Sequence, residues 1–296
     1  MISQLQRYLA PDDQYIGRKN SRDYTIDQEV LAALVGGVAL LLPTILILSS
    51  SLGIIRFRDT ISHYYYSAFF GDLFIIMIAA IGTFLLAYTG ESKNETRFAT
   101  FAGIFAYCIA LFPTKGVGIE SGEANGRVFS AIENIKLGFV DGKGVTYSFG
   151  TNSPNPPVSD HFDMFKLSFM GPDFSLSQFI HGVSTAVLFL FLAIFLLFVF
   201  TREKDEHFLD KEKTQLKPTK ERRNRVYRRS GFIILGSIVL IAINGMFLEK
   251  RELGLFWDQW NATLLLETIA LFSFGFAWGV KSKFFGYRVF WLDWRD

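Results

Sequence analysis

Long stretches of this chain are apolar on every side, without the alternation of a half-buried strand, and the charged residues are crowded between them. The longest run, HGVSTAVLFLFLAIFLLFVF, begins at His181. A helix of about 20 residues rising ~1.5 Å each crosses the ~30 Å hydrocarbon core of a bilayer. Five further runs share this character, so the pattern predicts spans over residues 30–52, 70–88, 98–113, 179–200, 231–247 and 262–280, the third of them short. The expected fold class is an all-α polytopic membrane protein, a six-transmembrane-helix bundle.

The polar segments then divide the chain. Residues 1–29 form an N-terminal segment, 30–113 carry spans one to three, and 114–177 form a long loop. Residues 178–201 hold the fourth span, 202–229 a basic loop, 230–280 the last two spans and 281–296 a tail. The basic loop carries Arg202, Lys204, Lys211, Lys213, Lys217, Lys220, Arg222, Arg223, Arg225, Arg228 and Arg229. By the positive-inside rule it is cytoplasmic, and counting spans makes both termini cytoplasmic as well. Arg7, Arg18, Lys19 and Arg22 at one end, and Lys281, Lys283 and Arg288 at the other, agree. Trp257 and Trp260 are then expected at the outer interface and Tyr287, Trp291 and Trp294 near the inner one, with the tail along the inner surface.

The 114–177 loop is external on this count. Within it IKLGFV, DGKG and VTYSFG read as two short strands about an Asp-Gly turn, which predicts a small β-hairpin-containing extracytoplasmic cap.

Composition agrees: 50% of residues are hydrophobic and 32 of 296 are Phe, unusual for a soluble chain. The net charge of +2 adds nothing, and a single cysteine, Cys108, excludes an internal disulfide. Residues 1–28 lack the short apolar core of a removable signal peptide, and a bacterial inner (plasma) membrane is the expected residence. No phosphate-binding Gly-rich loop, nucleophile elbow or Cys-x-x-Cys is present. Nucleic acid is not an expected partner, because topology explains the basic loop; its second half could alternatively bind anionic headgroups, and the simpler reading is topological. Gly275 and Gly279 form a GxxxG, a sign of close helix packing with a neighbour or with a partner.

Intramembrane polar residues fall toward the outer half. Asp72 lies in the first turn of the second span, with Ala79, Gly82 and Thr83 expected along an interior small-residue face. His181 shares a face with Ser184 and Thr185, Asn244 is near the outer end of the fifth span, and Glu267 lies in the sixth with Thr263 one turn before it. Ser62, His63 and three tyrosines lead into Asp72. His63, Asp72 and His181 would share one membrane level, and two imidazoles with a carboxylate are a common Zn2+ set whose open position holds an acidified water. Glu267 would be general base or a further ligand, and Ser62 would polarise a substrate carbonyl. The plainer reading is that Asp72 and His181 cap or hydrate helix ends and that His63 sits among interfacial aromatics. Glu267 is the hardest to explain so, because a carboxylate that deep is costly unless paired, protonated or hydrated.

The segment TISHYYYSAFFGDLFIIMIAAIGTFLLAY resembles bacterial six-span proteins of uncharacterised function, distantly similar to the DRAM-like membrane family. The order Ser and His, then Asp, then a late His resembles the CREST superfamily of membrane metal hydrolases, which includes alkaline ceramidases. That resemblance implies His63, Asp72 and His181 as metal ligands and Ser62 as the accompanying serine. The chain departs from it: CREST proteins have seven spans, their serine stands three residues further before the His, and a second His follows the late one where Thr185 stands here. The expected function is a metal-dependent hydrolase acting on a lipid or lipid-linked substrate that enters from the outer side. The alternatives are a small-solute or lipid binding or permeation protein, and an accessory protein engaging a partner through its cap.

Overall fold

The structure, a computed structural model, describes residues 28–90, 92–114, 138–140, 146–148, 176–202, 218–248 and 252–282. Helix α1 is Gln28–Ser51, and a loop with a 3-10 turn at Ser62–Tyr66 leads to α2 (Ala68–Ala87) and α3 (Lys93–Leu111). Helix α4 (Leu176–Ile194) continues as a π turn at Phe195–Val199, and α5 (Pro218–Ile243) as another at Asn244–Leu248. The short α6 (Glu252–Gln259) precedes α7 (Ala262–Lys281).

Five of these helices are long and apolar enough to cross a membrane: Val30–Ser51, Phe69–Ala87, Leu176–Val199, Lys220–Phe247 and Ala262–Lys281. The chain thus has the pattern of a multi-pass membrane protein. Helix α3, expected as a span from residue 98, is not one of the five, because its first turns carry Lys93, Glu95 and Arg97. A polar cap rather than hydropathy starts it: the Ser92 hydroxyl accepts from Glu95 N at 3.1 Å. Helix α5 likewise begins well before the expected residue 231. Pro218 is its first residue, where a missing N–H costs nothing, and Glu221 favours the positive end of the helix dipole. Residues 218–230, expected as loop, are helical for that reason.

Strands β1 (Gly138–Val140) and β2 (Thr146–Ser148) pair antiparallel with Phe139 opposite Tyr147. The other residues between 115 and 175, where the cap is expected, the N-terminal segment, residues 203–217 and the aromatic tail lie outside the described residues.

Each long helix packs on its chain neighbours, α1 on α2, α2 on α3, α3 on α4, α4 on α5 and α5 on α7, while α7 returns to α1 and closes the ring. Helix α4 also meets α7 across it. Aromatic rings fill one end of the interior, where Phe191, Phe195, Phe200 and Trp278 follow one another at centroid separations of 4.7, 5.8 and 5.3 Å. Lipid tails are as apolar as leucine, so the helices gain by close packing rather than by leaving water, and small residues set how close they come. The expected GxxxG packs on a neighbour: a Cβ built on Gly36 of α1 would lie 2.9 Å from Gly275 O and 3.0 Å from Gly279 N. Between α2 and α3, a Cβ on Gly103 would lie 2.9 Å from Gly82 O.

Gly37 is adjacent and opens on nothing within 4 Å. Gly36→Ala is expected to destabilise the bundle by ~1–3 kcal/mol because it presses on backbone that cannot step aside. Gly37→Ala should be neutral or gain up to ~1 kcal/mol of helix propensity. Thermal unfolding of both variants in one detergent checks the pair, and equal midpoints would refute the crossing.

Candidate functional site

Helix α3 ends at Leu111, and Pro113 cannot continue it, so the carbonyls that follow need partners other than the helix. Three side chains supply them. His181 Nδ1 bonds Phe112 O at 2.7 Å, the Ser177 hydroxyl donates to Pro113 O at 3.1 Å, and the Tyr66 hydroxyl donates to Thr114 O at 2.6 Å. Ser177 and His181 stand four residues apart on α4 and so act from one face.

The other ring nitrogen of His181 meets the first residue of the 3-10 turn, with Nε2 to Ser62 Oγ at 2.9 Å. A carbonyl only accepts, so Nδ1 carries a proton, and in the neutral ring Nε2 is then the acceptor of the Ser62 hydroxyl. His181 is 5% exposed and Ser62 half-buried.

The loop bearing Ser62 is tied down along its length. Ile61 N donates to Glu267 Oε2 of α7 at 2.6 Å, and Leu264 N donates to Asp59 O at 3.0 Å. Ser50 Oγ of α1 and the Tyr64 hydroxyl are 2.6 Å apart. Tyr64, Tyr65 and Tyr66 are buried rather than interfacial, which corrects the sequence-based placement of that aromatic triplet. Their hydroxyls and ring edges are used inside: Tyr65 packs edge-on against Tyr66 and Phe74 at 5.3 and 6.5 Å.

Of the expected site residues, Ser62 and His181 meet, and Glu267 holds the residue next to Ser62. His63 turns elsewhere: its Nδ1 lies 3.2 Å from Asp59 Oδ1. That hydrogen bond holds the Asp59 carboxyl below its ordinary range, against partial burial that pushes the other way. Asp72 does not join His181. It is exposed, nearly opposite the buried face of α2 formed by Phe74, Met77, Ile78, Ile81 and Leu85. Of the face expected to be interior, Gly82 is buried against α3 and Ala79 is half-buried, whereas Asp72 and Thr83 are exposed, although the Thr83 hydroxyl reaches Tyr107 of α3 at 2.7 Å.

Among the described residues no three His, Cys, Asp or Glu side chains gather to hold a metal. The expected Zn2+ set does not fit, since both nitrogens of His181 are already hydrogen-bonded and Asp72 lies on the wrong side of its helix.

Two polar atoms complete this end of the bundle. Thr185 Oγ1, one turn along α4 from His181, and Asn244 Oδ1 are buried with no hydrogen-bond partner among the described residues. Gly231 of α5 faces Ala193 and Leu197 of α4, and counting equally up one antiparallel helix and back along the other brings Asn244 to the level of His181.

At the far end of α4 lies a cluster that hydropathy does not reveal. Glu95, 1% exposed, accepts from the Tyr88 hydroxyl at 2.5 Å and from Arg202 Nη1 at 2.7 Å. Gly90 leaves the room, since a Cβ there would collide with the Glu95 side chain. Lys220 Nζ donates to Phe200 O at 3.0 Å and Asn224 Nδ2 to Thr201 O at 3.3 Å. Ser-x-x-Glu at 92–95 signals the start of a helix, but nothing in its spacing points to Arg202.

Removing one member of a buried ion pair strands the other. Arg202→Ala is expected to cost about 3 kcal/mol, and adding Glu95→Gln should recover part of that loss. A thermal-unfolding double-mutant cycle measures the coupling, and strictly additive effects would contradict the pairing.

No protein-family model matches the chain, no curated protein is significantly similar to it, and no solved structure matches its fold.

Proposed function

We propose that this is a six-span protein with both termini cytoplasmic and an outward-facing serine–histidine site that hydrolyses an ester or amide of a lipid or lipid-linked substrate. The eleven Lys and Arg from Arg202 to Arg229, six of them in the first turns of α5, support an orientation with the His181 end outward and the paired strands in an external cap. The place of α3 in the ring between α2 and α4, and its 19 residues, support its counting as the sixth span.

The observation that carries the chemistry is the contact of Ser62 Oγ with His181 Nε2 at 2.9 Å, with Nδ1 held on a carbonyl at 2.7 Å. Nucleophile, base and orienting group stand in the order that activates a hydroxyl. In this reading Ser62 Oγ attacks the substrate carbonyl as its proton passes to Nε2. The imidazolium returns that proton to the leaving alcohol or amine, and water then releases the acyl group from Ser62 by the same base. The orienting group is a neutral dipole rather than a carboxylate, so it fixes the tautomer while stabilising the imidazolium less. Glu267 acts through Ile61 N as a positioning residue. Thr185 and Asn244 offer polar atoms at the same level to a substrate headgroup.

The second reading, a binding or permeation protein, is favoured by Glu267, a membrane-level carboxylate with a single hydrogen bond, from Ile61 N, among the described residues.

A fluorophosphonate probe separates the two. With purified protein in nanodiscs, Ser62 is expected to be labelled, Ser62→Ala to remain unlabelled, and His181→Gln to react at least ~10²-fold more slowly. Wild-type protein that keeps its unfolding midpoint yet takes no label at Ser62 would sink the hydrolase in favour of the binding reading.

A further inference from the structure

Helix α5 has two faces of different character. Toward the bundle it buries Lys220, Asn224, Tyr227, Gly231 and Ile234, and its polar groups there are taken by the carbonyls of Phe200 and Thr201. The opposite face exposes Arg222, Arg225, Arg228 and Arg229, beside one exposed acid, Glu221. On the same face the next turns expose Phe232, Ile233, Val239, Leu240 and Ile243. Helix α5 is also the least covered of the five apolar helices, with 22% of its apolar window buried against 39% for the next.

The dimensions of this face select an occupant. From Arg222 to Arg229 the helix rises ~10 Å, a headgroup's depth, and from Phe232 to Ile243 ~17 Å, close to half of the ~30 Å hydrocarbon core. A basic band one headgroup deep, followed by an apolar strip one leaflet long, matches a phospholipid standing beside the helix. A soluble anion would use only the first part and an apolar partner only the second.

We propose that this face of α5 binds an anionic phospholipid, its phosphate held by Arg225, Arg228 and Arg229 and its acyl chains lying along Phe232, Ile233, Val239 and Leu240. Guanidinium groups suit the task because their planar fork engages two phosphate oxygens at once. Orientation alone requires positive charge near the end of a span but is indifferent to the face that carries it. The proposal rests on the membrane-spanning character of α5 and not on the serine–histidine chemistry, so either can fail without the other.

The test uses the full chain, purified in detergent, with its unfolding midpoint followed as dioleoylphosphatidylglycerol, dioleoylphosphatidylcholine or soluble glycerol phosphate is added. The glycerol lipid is expected to raise the midpoint by about 3–5 °C and the choline lipid and soluble phosphate to leave it within about 1 °C. Arg225→Gln/Arg228→Gln/Arg229→Gln should abolish that increment while keeping the lipid-free midpoint. Should the glutamine variant fail to insert, the corresponding triple lysine variant keeps the charge that orientation needs and is expected to lose more than half of the increment. Equal stabilisation by both lipids, an equal response to soluble phosphate, or an undiminished increment in the variant that inserts would overturn the proposal.

Discussion

A helix that ends within or near a bilayer leaves carbonyls that neither the helix nor abundant water satisfies, and past the end of α3 this bundle meets that constraint with three side chains, an imidazole first among them. His181 closes the exit of α3 through Phe112 O and, through its other nitrogen, fixes Ser62 at the start of the 3-10 turn. Ser177 and Tyr66 close the two carbonyls that follow, so the junction of α2, α3 and α4 is hydrogen-bonded residue by residue. Glu267 and Asp59 extend the same arrangement to α7, and the Tyr64 hydroxyl carries it to α1. The loop between α1 and α2 is thereby a hub, and the reactive geometry proposed for Ser62 follows from how it is held.

Helix α4 carries a polar lock at each end. From His181 to Val199 it rises ~27 Å, near the thickness of the hydrocarbon core, and beyond it Arg202 pairs with buried Glu95. Between the locks the interior is aromatic and the helix crossings are set by glycine, a division that suits a medium where polar groups are cheapest at the two surfaces. Helix α3 is drawn into the ring by both locks, through Glu95 at its start and Phe112 just past its end.

The existence of the long helices is legible in the sequence because an apolar run of membrane length suits a spanning helix and little else. Their faces are not. In a soluble protein the polar side of a helix marks its exposed face, whereas here lipid and core are equally apolar, so hydropathy leaves the phase of α2 open and points Asp72 to the wrong side. The starts of α3 and α5 are hidden for a related reason, since Ser92, Glu95 and the residues from Pro218 onward make helix through capping and propensity while reading as loop by hydropathy. Residue type does single out Ser62, His181 and Glu267. Ser62 and His181 partner each other, but the remaining partners are backbone groups of Phe112 and Ile61, which leave no mark in a sequence, and so residue type suggests a metal set where hydrogen bonds stand.

The most direct measurement is the protonation pattern of the His181 ring, read by nitrogen NMR on histidine-labelled protein in nanodiscs, with the resonance assigned by loss in His181→Gln. The geometry predicts a proton on Nδ1 and an accepting Nε2 whose shift moves in Ser62→Ala while that of Nδ1 stays in place. A ring protonated on Nε2 alone, or one indifferent to the Ser62 hydroxyl, would contradict both the relay and the function proposed for it.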